Sequence, residues 1–275
     1  MPELPEVETT RRGLLPTVVN QKIMKVTVRD RRLRWPIPAA LARTLEKRVV
    51  SDVLRRGKYL LWNVEAANGG GFLLCHLGMS GSLFSVQHGA PPAKHDHVDI
   101  VLTNKTLIRY HDPRRFGAML WISGPKPIHP LLASLGPEPL GDEFDGAHLF
   151  RTSRGRSVSV KEFIMNAHIV VGVGNIYASE ALFVAGIRPT TAAGRITQSR
   201  YELLAAAIQQ TLSRAIEAGG SSLRDYLKVD GEPGYFQLKA TVYDRANEPC
   251  RVCGSAIKMI RQGQRSSYFC LHCQR

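Results

Sequence analysis

The sequence predicts an α+β chain of two domains, β-rich first and helical second, with a metal-bound tail. Three observations predict it. Short β-branched or alternating runs recur between residues 23 and 110, a break from Ser123 to Gly141 holds five prolines and three glycines, and helical periodicity follows until four cysteines appear near the end. The 275 residues suffice for one large or two ordinary domains, each able to bury a core. At 44% hydrophobic and 22% charged, the composition excludes disordered and fibrous classes.

Residues 5–15 read as a helix. Pro5 suits a first helical position, Glu6 and Glu8 suit the first turn, and Gly13 is the expected stop. Ile23 to Val28, Val49 to Leu54, Tyr59 to Trp62 and Phe72 to Leu77 read as strands, and His97 to Leu102 with Thr106 to Tyr110 as a hairpin about Asn104 and Lys105. Many short strands with few helices imply a β-sandwich or barrel. Beyond the Pro-rich break, helices are expected at about 146–152, 158–166, 175–186 and 197–218. The last would carry Leu203, Leu204, Ala207, Ile208, Leu212 and Ile216 on one face.

The charge is lopsided. Lys and Arg number 37 against 23 Asp and Glu, a formal net charge of +14. Fourteen bases and three acids fall between Arg11 and Lys58, and seven bases and two acids between Lys239 and Arg275. Two basic zones suggest a bipartite grip on nucleic acid rather than a solvated surface. The opening Met-Pro-Glu-Leu-Pro-Glu lacks the basic and apolar regions of a secretory signal, and no apolar run approaches the roughly 18 residues of a membrane span. A soluble, cytoplasmic protein is expected.

Cys250, Cys253, Cys270 and Cys273 form two C-x-x-C knuckles, the spacing of a structural four-thiolate zinc site closing a unit too small to hold its own core. Two disulfides are the alternative, disfavoured without a secretory signal. Arg265 lies between the knuckles, at the expected tip of a hairpin built from 258–260 and 267–269. Cys75, in an apolar strand, reads as a buried thiol. The glycine turn Val171-Gly172-Val173-Gly174-Asn175 matches neither nucleotide fingerprint; it reads as a turn whose amides can take a phosphate, with Asn175 as N-cap of the next helix. Met79 and Phe116 sit in loops beside glycines. Such side chains pack at strand ends in most proteins, but in a nucleic-acid enzyme they can wedge between bases. Loss of Met1 would leave Pro2 with a secondary amine titrating near neutrality, a nucleophile for an anomeric carbon beside a candidate acid, Glu3.

These motifs converge. Pro2-Glu3-Leu4-Pro5-Glu6-Val7-Glu8-Thr9, Arg56-Gly57-Lys58-Tyr59-Leu60, His76-Leu77-Gly78-Met79-Ser80-Gly81, Lys94-His95-Asp96-His97, Asp112-Pro113-Arg114-Arg115-Phe116-Gly117, Gly172-Val173-Gly174-Asn175-Ile176-Tyr177, Asp230-Gly231-Glu232-Pro233-Gly234 and the cysteine finger with Gln264-Arg265 resemble, in order and over nearly the whole chain, bacterial formamidopyrimidine-DNA glycosylase.

The resemblance implies a β-sandwich catalytic domain with flanking helices over 1–125, a linker over 126–145, a helix–two-turns–helix DNA-binding domain over 146–235 and a zinc finger over 236–275, with DNA bound between the domains. It implies a bifunctional glycosylase and abasic-site lyase of base excision repair. The substrates would be 8-oxoguanine opposite cytosine and formamidopyrimidines in duplex DNA, and the cofactor one structural zinc ion. The protein would be a bacterial, cytoplasmic monomer, at the nucleoid when bound, with no membrane partner.

Carried over residue by residue, Pro2 is the nucleophile that forms the Schiff base, Glu3 the general acid and Glu6 a residue positioning this site. Lys58 serves β-elimination and Arg265 δ-elimination. His95, Arg114, Arg156, Lys161 and Asn175 fall at DNA contacts. Met79, Arg114 and Phe116 fill the gap left by a flipped nucleotide, since the anomeric carbon is shielded in stacked duplex. A loop over 221–237 would cover the extruded base. Met165-Asn166-Ala167 departs from the Met-Asp-Asn usual in the family, removing an acid near the DNA face. The rivals are an endonuclease VIII-like enzyme acting on oxidised pyrimidines, against which Leu4 and the full Arg114–Phe116 wedge argue, and a noncatalytic nucleic-acid-binding zinc protein, against which Pro2-Glu3 and Lys58 argue.

Overall fold

The computed structural model describes residues 2–66, 69–220 and 240–275. The chain divides into two compact units, Met1–Ala133 with Ala218–Tyr235, and Ser134–Glu217 with Phe236–Arg275. The expected base-covering loop at 221–237 lies outside the described residues.

In the first unit, α1 spans Leu4–Val18. It opens as a capping box requires: Glu3 is extended, and its N–H donates to Glu6 Oε2 at 2.8 Å. The helix does not stop at Gly13 but runs on through Pro16. Gly13 costs about 1 kcal/mol in a helix. Burying Leu14 and Val18 completely in the core offsets more than that.

Eight strands follow: β1 (Ile23–Val28), β2 (Val49–Arg56), β3 (Tyr59–Glu65), β4 (Gly71–His76), β5 (Ser82–Gln87), β6 (Asp96–Leu102), β7 (Thr106–His111) and β8 (Ala118–Ser123). They form two antiparallel sheets ordered β1-β6-β7-β5 and β2-β3-β4-β8. One core joins the sheets: Val26, Val98, Ile100, Ile108 and Tyr110 from one, and Val50, Val53, Leu60, Trp62, Leu73 and Met119 from the other. This is the expected sandwich, and the β6–β7 hairpin turns at Lys105 in the left-handed region (φ 63°). Strands β5 and β8 and the short helix α2 (Leu41–Leu45) go beyond the sequence reading. Cys75 is fully buried on β4, and burial pushes its thiol pKa well up.

Carboxylates tie the unit together. Glu8 accepts from Arg11, Arg12 and Arg55 at 2.8 to 3.0 Å. Asp99 binds Arg109 through two nitrogens, at 2.8 and 3.0 Å, and pairs with Arg29.

Within the Pro-rich break lies α3 (Pro130–Ala133). The second unit carries α4 (Gly146–Ser153), α5 (Val160–Ile164), α6 (Asn175–Val184) and α7 (Gln198–Glu217), then the hairpin β9 (Lys258–Gln262) and β10 (Arg265–Phe269). Asp145 caps α4 by accepting from His148 N at 2.6 Å. The buried stripe of α7 runs Tyr201, Leu204, Ile208, Leu212, Ala215, so Leu203 is turned off it and is 62% exposed. A neighbour one residue away lies about 100° round the helix, which the face assigned from sequence overlooked. Glu180 on α6 accepts the N–H groups of Thr241, Val242 and Tyr243 at 2.8 to 2.9 Å, fixing the start of the finger.

Glu8 yields a prediction. Burial alone would raise its pKa, but the hydrogen bonds from Arg11, Arg12 and Arg55 outweigh it and lower the value to about 2. A depressed carboxylate contributes stability above its unfolded pKa of about 4.3 and loses it as pH falls toward the folded value. The contribution is ~3 kcal/mol. In acid titrations followed by Trp fluorescence, Glu8→Gln should therefore be less stable at neutral pH and should lose the part of the pH dependence lying between about 4.5 and 2.

Candidate functional site

Pro2 and Glu3 are both buried at the start of α1, Glu3 at 2% exposure. Glu6 is fully buried and holds the Glu3 amide, so the backbone beside Pro2 is fixed. Gly220 packs on this carboxylate; a Cβ there would lie 3.3 Å from Glu6 Oε1. Lys58, partly buried, follows Gly57 in the β2–β3 turn. The ion pair from Arg55 to Glu8, with Arg11 Nη1 donating to Val53 O, ties the strand that leads into this turn to α1. The fold thus joins the element carrying Pro2, Glu3 and Glu6 to the one carrying Lys58. His76 Nδ1 accepts from Gly78 N at 3.0 Å, and its ring lies 4.8 Å from that of Tyr59. Burial, then the charges of Lys58 and Arg34, lowers its pKa to about 4, so it is neutral beside Lys58 at pH 7.

Met79 and Phe116 lie in two loops that interlock. A Cβ on Gly78 would meet the Phe116 carbonyl carbon at 2.5 Å, so only glycine permits the approach. The anchor is Asp112, fully buried. Its carboxylate accepts from Ser80 Oγ at 2.9 Å, Gly117 N at 2.9 Å and Tyr110 OH at 3.2 Å, and its carbonyl meets His97 Nε2 at 2.8 Å. Ser80 Oγ in turn accepts from Arg114 N at 3.2 Å. The result is a rigid loop presenting Phe116, 42% exposed, with the Arg114 guanidinium 4.9 Å above its ring. Met79 is half-buried. Asp112, Ser80 and Tyr110 had no role in the sequence reading. Their signal is Ser80 beside Gly81 and Asp112 at the head of the second loop, which acquires meaning only with burial.

His95 is partly buried, with Nδ1 enclosed and without a hydrogen-bond partner. Its ring meets that of His111 edge-on at 5.9 Å, and His111 Nδ1 lies 2.7 Å from Asp96 Oδ1. Desolvation, then the neighbouring His111, Lys94, His97 and Arg115, lowers the His95 pKa.

In the second unit one expectation changes. The N-cap of α6 is Gly174, extended at φ −126°, and Asn175 is the first helical residue. Its side chain therefore does not cap, and Asn175 Oδ1 is enclosed without a partner. Lys161 is 1% exposed, and its ammonium donates to Ser266 O at 2.8 Å and Ser267 Oγ at 2.7 Å. These hydrogen bonds fix β10, the strand that begins with Arg265. Arg156 is exposed, with Nε donating to Thr152 O at 2.8 Å. Arg265 is exposed and follows Gly263 and Gln264, both left-handed, so it stands beside the hairpin tip. A recess of about 210 Å³ opens here, lined by Lys161, Glu162, Met165, Asn166, Gln262, Gly263 and Arg265. Asn166 is among them, and Glu162 is the one carboxylate of this lining.

The sulfurs of Cys250, Cys253, Cys270 and Cys273 lie within 4.8 Å of one another, with pairs at 3.9 and 3.4 Å. Four Zn–S bonds of about 2.3 Å in a tetrahedron imply S–S separations of about 3.8 Å, so the four cysteines fit one zinc ion. Among the described residues this is the one cluster of three or more metal-ligating side chains. Its surroundings, Phe183, Val242 and Ile257, are too few to close the finger without metal. Chelation should therefore abolish amide-exchange protection in β9 and β10 while leaving protection in β2–β4 unchanged, as hydrogen exchange would read.

The geometry has counterparts among known proteins. Residues 1–119 match the formamidopyrimidine-DNA glycosylase N-terminal domain, residues 135–226 the H2TH domain of that enzyme, and residues 247–275 a zinc finger found in FPG and IleRS. The chain is 55% identical over 275 residues to formamidopyrimidine-DNA glycosylase of Methylococcus capsulatus and 56% identical to that of Pseudomonas entomophila, covering all of each. The crystal structure of MutM (FPG) from Thermus thermophilus superposes with a TM-score of 0.88 at 38% identity, covering 99% of this chain and 98% of that one. A Lactococcus lactis FPG mutant in complex with Fapy-dG-containing DNA gives 0.90 at 32% identity, covering all of both chains. With three domain matches in order and relatives aligned end to end, the chain belongs to the formamidopyrimidine-DNA glycosylase family.

Proposed function

We propose that this family member, a DNA glycosylase with abasic-site lyase activity acting in base excision repair, works on oxidised purines through the residues of α1. The observation that carries the reading is the pair Pro2–Glu3, buried and held by Glu6 at the head of a chain that matches the family from end to end. Once Met1 is removed, the Pro2 nitrogen attacks C1′ and the bond to the damaged base breaks, the base leaving with the electron pair and taking up the proton that the Pro2 nitrogen sheds. Glu3 delivers its proton to O4′, the sugar ring opens, and C1′ is left as an iminium on Pro2. The iminium acidifies C2′–H. Lys58 assists its removal, and the 3′-phosphate leaves by β-elimination. Arg265 assists the second, δ-elimination, in which C4′–H is lost and the 5′-phosphate leaves, and water then hydrolyses the iminium to free Pro2. A preorganised carboxyl is worth about 100- to 10,000-fold in such proton transfers.

Related structures hold DNA: one Lactococcus lactis complex is described with Fapy-dG-containing DNA, another with DNA containing an abasic site, the latter at a TM-score of 0.89. Duplex DNA with such lesions is the partner we assign here. Arg114, Phe116 and Met79 open the stack at the lesion, which the rigid Asp112-anchored loop supports, and His95, Arg156 and Asn175 contact phosphates. The protein acts as a monomer in the bacterial cytoplasm. Lys161 acts as a positioning residue for Arg265.

Borohydride should trap a covalent complex between the protein and 8-oxoguanine duplex at Pro2, and Pro2→Gly should form the trapped adduct at least about 100-fold more slowly. Equal trapping would remove the assignment, and preference for thymine glycol duplex would move the enzyme to oxidised pyrimidines. Replacing Lys161 leaves Ser266 O and Ser267 Oγ without their cation. Lys161→Met should lower the ratio of β,δ- to β-elimination product by between about 10- and 100-fold, the cost of a displaced catalytic group. It should lower base excision far less, and gel separation of the two 3′ ends measures the split.

A further inference from the structure

One charged recess of the first unit adjoins the Arg114 and Phe116 wedge, and its other arginines have no part in the chemistry above. It has a volume of about 440 Å³ and is lined by Arg32, Leu33, Arg34, Arg114, Arg115 and Phe116. Four guanidiniums surround it, and the carboxylate within reach is Asp30. Asp30 binds Arg32 through both oxygens at 2.9 Å and Arg115 at 2.7 Å. Arg34 and Arg114 are exposed and pair with no carboxylate among the described residues, and the Arg114 guanidinium rests on the Phe116 ring.

The contrast within the unit is informative. Glu8 serves Arg11, Arg12 and Arg55, and Asp99 serves Arg29 and Arg109, each a carboxylate enclosed among its partners. In the recess the positive charge is left in excess on a fixed frame. Arg34 N donates to Arg115 O at 2.7 Å, Trp35 bridges to Ala118, and Leu33 is buried beneath. Arg115 is itself held in the left-handed region at φ 58°, a conformation a non-glycine residue adopts at some cost. Like charges assembled on a rigid frame repel one another, and an anion relieves that repulsion. A phosphodiester offers oxygens that guanidinium forks grip two at a time, and Leu33 and Phe116 suit the adjoining sugar.

We infer that this recess seats a backbone phosphate of duplex DNA, with Arg34 as its principal ligand and Asp30 orienting Arg32 and Arg115. The inference rests on the reading that Arg114 and Phe116 enter the stack, since the recess adjoins them. A wedge that unstacks bases kinks the duplex, and a phosphate held beside the wedge fixes the flank of that kink. Both strands carry phosphates near such a kink, and substitution in each strand tells them apart.

The test is binding to a duplex carrying an uncleavable tetrahydrofuran abasic analogue, measured across a salt series for wild type, Arg34→Ala and, as a charge control on the β6–β7 turn, Lys105→Ala. Arg34→Ala should weaken binding roughly tenfold at 0.1 M salt and lower the slope of log K against log salt by about 0.9, one phosphate's share. Lys105→Ala should leave the slope unchanged. Neutral methylphosphonates placed one at a time in each strand locate the site. At a single position, in one strand, the substitution should weaken wild type and have no effect on Arg34→Ala. That position names the strand. An unchanged slope in Arg34→Ala, or methylphosphonate effects that add to the variant's at every position, overturns the recess. Failure of wild type to bind the analogue duplex would instead overturn the lesion-binding reading itself.

Discussion

The buried carboxylate of Asp112 is the fixed point for the loop-bearing edge of the first unit. Those loops carry almost no regular secondary structure, so their backbone groups need partners from elsewhere. Asp112 supplies them from one side chain, taking Ser80, Tyr110 and the Gly117 amide together. A group of this kind is expensive to bury and more expensive to leave half-satisfied. With every oxygen occupied, it locks the geometry that lets an aromatic ring stand 42% exposed without collapsing onto the surface.

The same device recurs wherever function needs an irregular segment held still. Glu6 holds the amide beside Pro2, Glu8 draws β2 to α1, and Glu180 takes three successive amides at the entrance to the finger. In a chain with a formal net charge of +14, carboxylates are scarce, and these are placed inside as anchors. The excess of guanidinium left outside suits the polyanion proposed as its partner.

Much of this was legible in the sequence. Period-two runs marked the strands, the C-x-x-C pairs marked the metal site, and the motif order marked the family. The opening Pro2-Glu3 marked a candidate nucleophile beside a candidate acid. What was not legible depends on burial at long range. Gly13 reads locally as a helix stop, yet Leu14 and Val18 need the helix to continue. Nothing local to Lys161 shows that its ammonium meets Ser266 and Ser267; the packing of the finger against α5 brings them together. Asn175 reads as a cap, but Gly174 takes the extended conformation first. Leu203 sits next to a buried stripe in sequence but a quarter-turn away in space. In these cases the packing of the whole unit overrides what the local residues prefer.

Cys75 carries a consequence of another kind. On the reading proposed above, the damaged base is made by oxidants, so the protein has to keep working in the conditions that create its substrate. Thiolates, not thiols, react with such oxidants. Cys75 is inaccessible, and its proton is held well past the ordinary thiol range, so it is a poor target. Cysteine oxidation in this protein is thereby confined to the four sulfurs of the finger, where a bound metal ion shields them, and the durability of the repair enzyme becomes the durability of one zinc site.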